Sequence, residues 1–180
     1  MALGLSVVAA AQTSAEASTS ALKSLAKDLL PSSYANQAGF TKVVEKVTTI
    51  SKTGDKPCPY GAQEAFANAS NQVGLVSEVL GCTSDNGAAA LLAGARSGTS
   101  ATGANPPKAL GASAIERSSN GSTYAIYWQR GTTLEVVGLN TNVPASANSS
   151  TSTTLAAPPI TRAEQKILSK AAAEQNTRLR

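Results

Sequence analysis

The 180-residue chain contains no histidine. That removes the commonest general base and the commonest zinc ligand together, so Ser-His-Asp and Cys-His mechanisms are excluded. Cysteine is almost as scarce: Cys58 and Cys82 stand alone, and without C-x-x-C spacing they build no closed zinc site. EF-hand, Walker and G-x-G-x-x-G patterns are missing as well, and the 11 acidic residues are spread out rather than paired. Glu78 and Glu116 are an example of a carboxylate pair that folding could assemble as in a glycosidase, but no spacing points to it. The expectation is a protein that is not an enzyme and takes no cofactor or metal. The net charge of +4 comes from singly scattered Lys and Arg, without the basic run that tracks a phosphate backbone, so nucleic acid is not an expected partner. Aromatic residues are 4% and charged residues 14%, which leaves a surface of Ser, Thr, Asn, Gln, Gly and Ala that is unusual for the cytosol.

One catalytic pattern is present and is discounted. Penicillin-binding proteins and serine β-lactamases use S-x-x-K, S-D-N and K-T-G. The chain holds Ser20 to Lys23, Ser24 to Lys27, Ser84-Asp85-Asn86 and Lys52-Thr53-Gly54. K-T-G precedes S-D-N here, opposite to what that fold needs, and the chain is short for its two-part architecture. Ser84-Asp85 reads instead as a helix cap, and Lys52-Thr53-Gly54 as a corner.

What the chain does contain points outside the cell. Cys58 sits in a Pro-bracketed turn, "KPCPYG", where an isolated small hydrophobe has little purpose, so Cys58 and Cys82 are expected to form one disulfide. Closing that loop stabilises by about 3 to 3.5 kcal/mol through chain entropy. Residues 2–11, "ALGLSVVAAA", followed by Ala15-Glu16-Ala17, resemble a signal-peptide hydrophobic region and an A-x-A site, although the basic region before them is missing. The run is too short to span a bilayer, which needs roughly 20 apolar residues, and no lipobox precedes Cys58. The expected location is extracellular or in the cell envelope, with the N-terminal segment as the candidate membrane contact. Sequons at Asn68, Asn120 and Asn148 matter only in a host that glycosylates them.

Periodicity gives the elements. Leu22, Leu25, Ala26, Leu29 and Leu30 form the stripe of a helix stopped by Pro31. Residues 39–53 fit either period, and their β-branched content favours a strand. Residues 61–70 suit a short helix, 72–82 a strand with Val73, Leu75 and Val79 on one side, and 84–98 a helix capped by Ser84 or Asp85. Strands at 111–118, 122–129 and 132–140 form a meander, joined by Asn120-Gly121 and by a tight turn at Gln129 to Thr132. In the middle strand Tyr124, Ile126 and Trp128 face one way and Ala125, Tyr127 and Gln129 the other, while Leu134 and Val136 share a face of the next and are expected to join the aromatics in one inner layer covered by the terminal helices. Packing accounts for most of this aromatic cluster. Tyr127, with Arg130 and Arg117 near in sequence, is the better candidate for recognition. Thr161 to Glu164 is a T-x-x-E capping box opening a last helix, whose buried stripe is Ile160, Ala163, Ile167, Leu168, Ala171 and Leu179.

The stretch "YAIYWQRGTTLEVVGL" with "ITRAEQKILSKAAAEQNTRL" resembles the C-terminal half of small secreted or membrane-tethered domains of high-GC Gram-positive bacteria. The resemblance rests on Trp128, Arg130, Gly131, Leu134 and Val137 in the strand pair, and on Ala172, Gln175, Arg178 and Leu179 in the helix. It is similar in flavour at "NGAAALLAGARSG" and "LLPSSYANQAGF", and spans about the last 110 residues. That group includes envelope lipoproteins and extracellular sensor domains of membrane kinases. The resemblance implies an α+β domain outside the membrane with a binding or sensing role, and no catalytic residues.

The combined expectation is a single α+β domain, an antiparallel meander sheet with helices packed mainly on one face. Residues 1–17 would be a leader or apolar segment, 18–140 the core, 141–159 a Ser/Thr/Ala/Pro-rich linker or loop, and 160–180 a helix packing on that core. It would recognise a ligand or an envelope protein partner in a groove between sheet and helices, with Tyr127, Trp128 and Arg130 at the rim and Arg117 close by. The alternative is a structural or assembly protein of the envelope anchored by its N-terminal segment; the Ser/Lys acyl-enzyme is the remote third.

Overall fold

The computed structural model describes residues 21, 23–49, 57–70, 72–97, 106–119, 122–141 and 159–178. The readings placed on residues 1–17, on most of 141–159, on Asn120-Gly121, on Lys52-Thr53-Gly54 and on Leu179 lie outside them. Six strands are present: β1 (Lys42–Thr49), β2 (Tyr60–Ala67), β3 (Gly74–Gly81), β4 (Ile115–Ser119), β5 (Thr123–Arg130) and β6 (Thr133–Asn140). They form one antiparallel sheet in the order β1-β2-β3-β6-β5-β4. Two three-stranded meanders therefore meet at β3 and β6, whose register is unbroken from Gly74↔Asn140 to Gly81↔Thr133. At the β1 edge the register with β2 breaks twice, between Val43 and Glu45 and between Glu45 and Thr48.

Side-chain alternation sorts the strands into two faces. One face carries Phe66 of β2, Leu75 of β3, Ile126 and Trp128 of β5 and Val137 and Leu139 of β6 in a single buried cluster. Helix α1 (helical over 23–27), helix α2 (Ser32–Gln37) and helix α4 (Arg162–Thr177) cover it: Leu30, Ala35, Leu168, Ala171 and Ala172 enter this cluster, and Leu25 and Leu29 pack beside it on Ala62 and Val79. On the opposite face helix α3 (Asp85–Ser97) sets Leu92 against Cys58, Leu80 and Leu134. The α+β domain forms as expected, an antiparallel sheet with its helices mainly on one face.

Local chemistry explains the helix ends. Ser84 Oγ accepts from the Gly87 N–H at 3.1 Å and caps α3. The capping box of α4 is complete, Thr161 Oγ1 accepting from the Glu164 N–H while Glu164 accepts from the Thr161 N–H. Helix α2 closes with a Schellman motif: Gly39, at φ 91°, donates to Asn36 O, and Phe40 donates to Ala35 O before turning into the core.

Three sequence expectations need correction. Residues 60–67 are a strand, not a helix, because β1 and β3 pair on both sides of this Ala-rich segment and tertiary pairing overrides its helical propensity. Its small side chains suit the position, since Ala62 lies directly beneath Leu25 and Leu29. Leu134 and Val136 do not share a face with Trp128: the two-residue turn at Gly131-Thr132 pairs Trp128 with Glu135 and Tyr127 with Val136. In α4, Ala163 is exposed and Gln175 is buried.

Candidate functional site

The sheet separates the four residues picked out by sequence into two pairs. Tyr127 and Arg117 share the α3 face, and Trp128 and Arg130 the helix-rich face. Tyr127 is half-buried against the cluster of Cys58, Leu80, Leu92 and Leu134, and burial holds its hydroxyl above the usual tyrosine range, with Arg117 pulling down and Glu78 pushing up. Trp128 is 1% exposed and belongs to the core, so it stands at no rim. Arg130 donates from Nη1 to Asn176 O at 3.3 Å, fastening the β5–β6 turn to the C-terminal end of α4, where a cation suits the helix dipole. Its neighbour Gln129 reaches the other way and donates from Nε2 to Asp85 O at 2.9 Å, fastening the same turn to α3. These residues hold the molecule together rather than meeting in one groove.

A groove does form, between α2 and α4. It has a volume of about 380 Å³ and is lined by Tyr34, Gln37, Ala38, Ile167 and Lys170. Tyr34 and Ile167 are partly buried on the main core cluster and give the groove an apolar floor, while Gln37 and Lys170 are exposed. Burial, with Glu174 adding to it, raises the Tyr34 hydroxyl further above neutrality, so it remains an O–H donor. Arg162 and Lys166, exposed on α4 at four-residue spacing before Lys170, continue a basic row along the crest of the helix. Sequence reading left Tyr34 uninterpreted. The available signal was Pro31 and Gly39 flanking a six-residue helix.

Beneath α4 a polar chain crosses the core. The Leu30 N–H donates to Ser77 Oγ at 2.9 Å, Ser77 Oγ donates to Gln175 Oε1 at 2.8 Å, and Gln175 Nε2 donates to Glu135 Oε2 at 3.1 Å. Ser77, Glu135 and Gln175 are each 0% exposed. Glu135 Oε1 and Trp128 Nε1 have no hydrogen-bond partner among the described residues, and these two residues are direct cross-strand neighbours. Burial pushes the Glu135 carboxyl up to about 7, with Asp28 adding to the rise and Gln175, Arg130 and Thr133 opposing it. Asp28 is itself raised by burial, against Arg130 and Lys27.

Of the discounted catalytic motifs, those within the described residues lie apart: Ser24 and Lys27 are on α1 on the helix-rich side, and Ser84 caps α3 on the other. Glu78 and Glu116 point to opposite faces, opposite Val136 and Ile126 respectively. Among the described residues no group of three or more Cys, Asp or Glu is placed to hold a metal ion, and no helix is long and apolar enough to cross a membrane. Cys58 and Cys82 are joined as a disulfide, a bond consistent with an oxidising environment. Comparison with protein-family models, with curated proteins and with solved structures returns no match to this chain.

Proposed function

We propose that this chain is an exported binding or sensor-type domain of the cell envelope, of the kind that high-GC Gram-positive bacteria carry outside the membrane. It recognises a ligand or protein partner and does not turn it over. The observation that carries the reading is the Cys58–Cys82 disulfide, with Cys58 buried against Leu80, Leu92 and Leu134, because such bonds persist where thiols are not kept reduced. The α2–α4 groove supports the binding half. Its apolar floor of Tyr34, Ala38 and Ile167, with Lys170 at the lip, suits a group with an apolar body and an anionic end. On the other face Tyr127 is half-buried on the α3 cluster and Arg117 is partly buried, so that surface is less accessible.

The intact mass of protein from its native host, with and without reduction and alkylation, tests the first half. Loss of the N-terminal segment together with a protected cystine is the expected result; an unprocessed chain with two free thiols would place the protein in the cytosol and end the proposal. For the second half, aromatic and aliphatic carboxylates titrated into isotope-labelled full-length protein should perturb amides of α2 and α4 around the groove. Perturbations confined to the Tyr127–Arg117 face would move the site there.

A further inference from the structure

The Glu135 environment combines features that a purely structural core residue would not need. A carboxyl sits at the centre of the helix-rich face, one oxygen bound by Gln175 and the other without a hydrogen-bond partner among the described residues, next to a tryptophan whose indole N–H also lacks one among them. Gln175 is the one polar side chain that α4 buries, and through Ser77 it also reaches the Leu30 N–H, so the helix is joined to β3, to β6 and to the segment between α1 and α2 through a single amide. We propose that Glu135 and Gln175 form a proton-controlled latch: neutral Glu135 holds the C-terminal half of α4 against the sheet, and loss of its proton to solvent loosens it.

The physical basis is the cost of a charge in this position. A neutral carboxyl leaves one modest dipole unpaired, whereas an ionised one is a buried charge for which the Gln175 amide at 3.1 Å, the Thr133 hydroxyl and the Arg130 charge offset only part of the lost hydration. The groups that face it are Asp28 at the end of α1, which opposes ionisation, Arg130 on β5, which favours it, and the neutral side chains of Thr133 on β6 and Gln175 on α4. Arg130 is shared between Asp28 and Glu135 and is also held by Asn176 O. Water admitted beneath α4 relieves both unpaired atoms, since it can donate to Glu135 Oε1 and accept from Trp128 Nε1. The carboxyl titrates at about 7, so the latch operates near neutrality. With no histidine in the chain, that range is otherwise nearly silent. Because α4 supplies Ile167 and Lys170 to the groove, loosening it would alter binding there; that consequence rests on the function proposed above, and the latch itself does not.

Trp128, the only tryptophan, is the reporter for the test. Its fluorescence in the full chain, free of ligand, is followed from pH 5 to pH 9, and protection of the α4 amides around Ala171 to Gln175 is measured by hydrogen exchange over the same range. The expected result is a one-proton transition with a midpoint near 7, accompanied by a fall in protection factors of about tenfold or more. Asp28→Asn should move the midpoint down, and the isosteric Glu135→Gln should abolish the transition while keeping α4 protected throughout. A flat wild-type titration, a transition that survives in Glu135→Gln, or a fluorescence change without loss of α4 protection would each overturn the latch. Since no ligand is used, those failures leave the groove reading standing, and a groove that binds nothing leaves the latch standing.

Discussion

The two faces of this sheet are built from the same strands and stabilised by different means. The helix-rich face buries Phe66, Leu75, Ile126, Trp128, Val137 and Leu139 beneath three helices, and apolar burial is its main support. The other face offers α3 a much smaller patch, Leu80, Leu92 and Leu134, and there the chain adds a covalent link through Cys58, which sits inside the patch. Gly87 of α3 belongs to the same arrangement: a Cβ at that position would come within 2.9 Å of Pro57 Cβ, so the absence of a side chain lets the helix lie against the cystine turn. The difference teaches where a disulfide is useful in a domain of this size, namely on the side where burial runs short.

The sharpest way to break the comparison is Trp128→Ala. Removing the largest buried side chain from the helix-rich face should cost about 3 to 5 kcal/mol in denaturant unfolding, with the cavity adding to the lost transfer energy. Replacing Cys58 and Cys82 together by Ala should cost about 3.5 kcal/mol, and hydrogen exchange should show α3 losing protection before α4 does. Equal loss in both helices would mean that the two faces are not separable. Next in size is Glu135→Gln, whose effect depends on pH. The folded carboxyl titrates at about 7 against an ordinary 4.5, so the folded state holds its proton longer than the unfolded one. Stability therefore falls as pH rises from 4.5 to 7 and stays reduced above, by about 3 kcal/mol in all. Glu135→Gln should be more stable than the parent at pH 8 by up to that amount and indistinguishable from it at pH 4. Loss of the α4 capping box in Thr161→Ala should cost about 1 kcal/mol, read as a lowered unfolding midpoint. The smallest effect on stability, within about 0.5 kcal/mol, belongs to Lys170→Glu at the groove lip, which should nevertheless weaken binding of the anionic carboxylates proposed for the groove.

Local signals carried most of what the sequence revealed. The meander, the T-x-x-E box at Thr161, the Ser84 cap and the Cys58–Cys82 pairing each depend on neighbours in the chain or on the only partner available. Strand β2 was hidden because its alanines favour a helix, and the pairing on both its sides is non-local. The separation of Tyr127 and Arg117 from Trp128 and Arg130 follows from strand parity, and a tight turn at Gly131-Thr132 fixes which residues of β6 lie opposite them. The buried chain of Ser77, Gln175 and Glu135 could not be read locally. It joins residues 98 and 40 positions apart, and a Gln near the end of a Lys-rich helix ordinarily faces water.

Every open sheet has two ends, and an unpaired strand there is a template on which another chain can add. Here one end is β1, whose pairing with β2 slips twice within eight residues, and the other is β4, only five residues long. Among the described residues neither presents the long, flat, unbroken row of amides that favours strand addition. Copies of this protein concentrated side by side would lack a seam along which to join into a continuous ribbon, so crowding should not by itself drive them to polymerise.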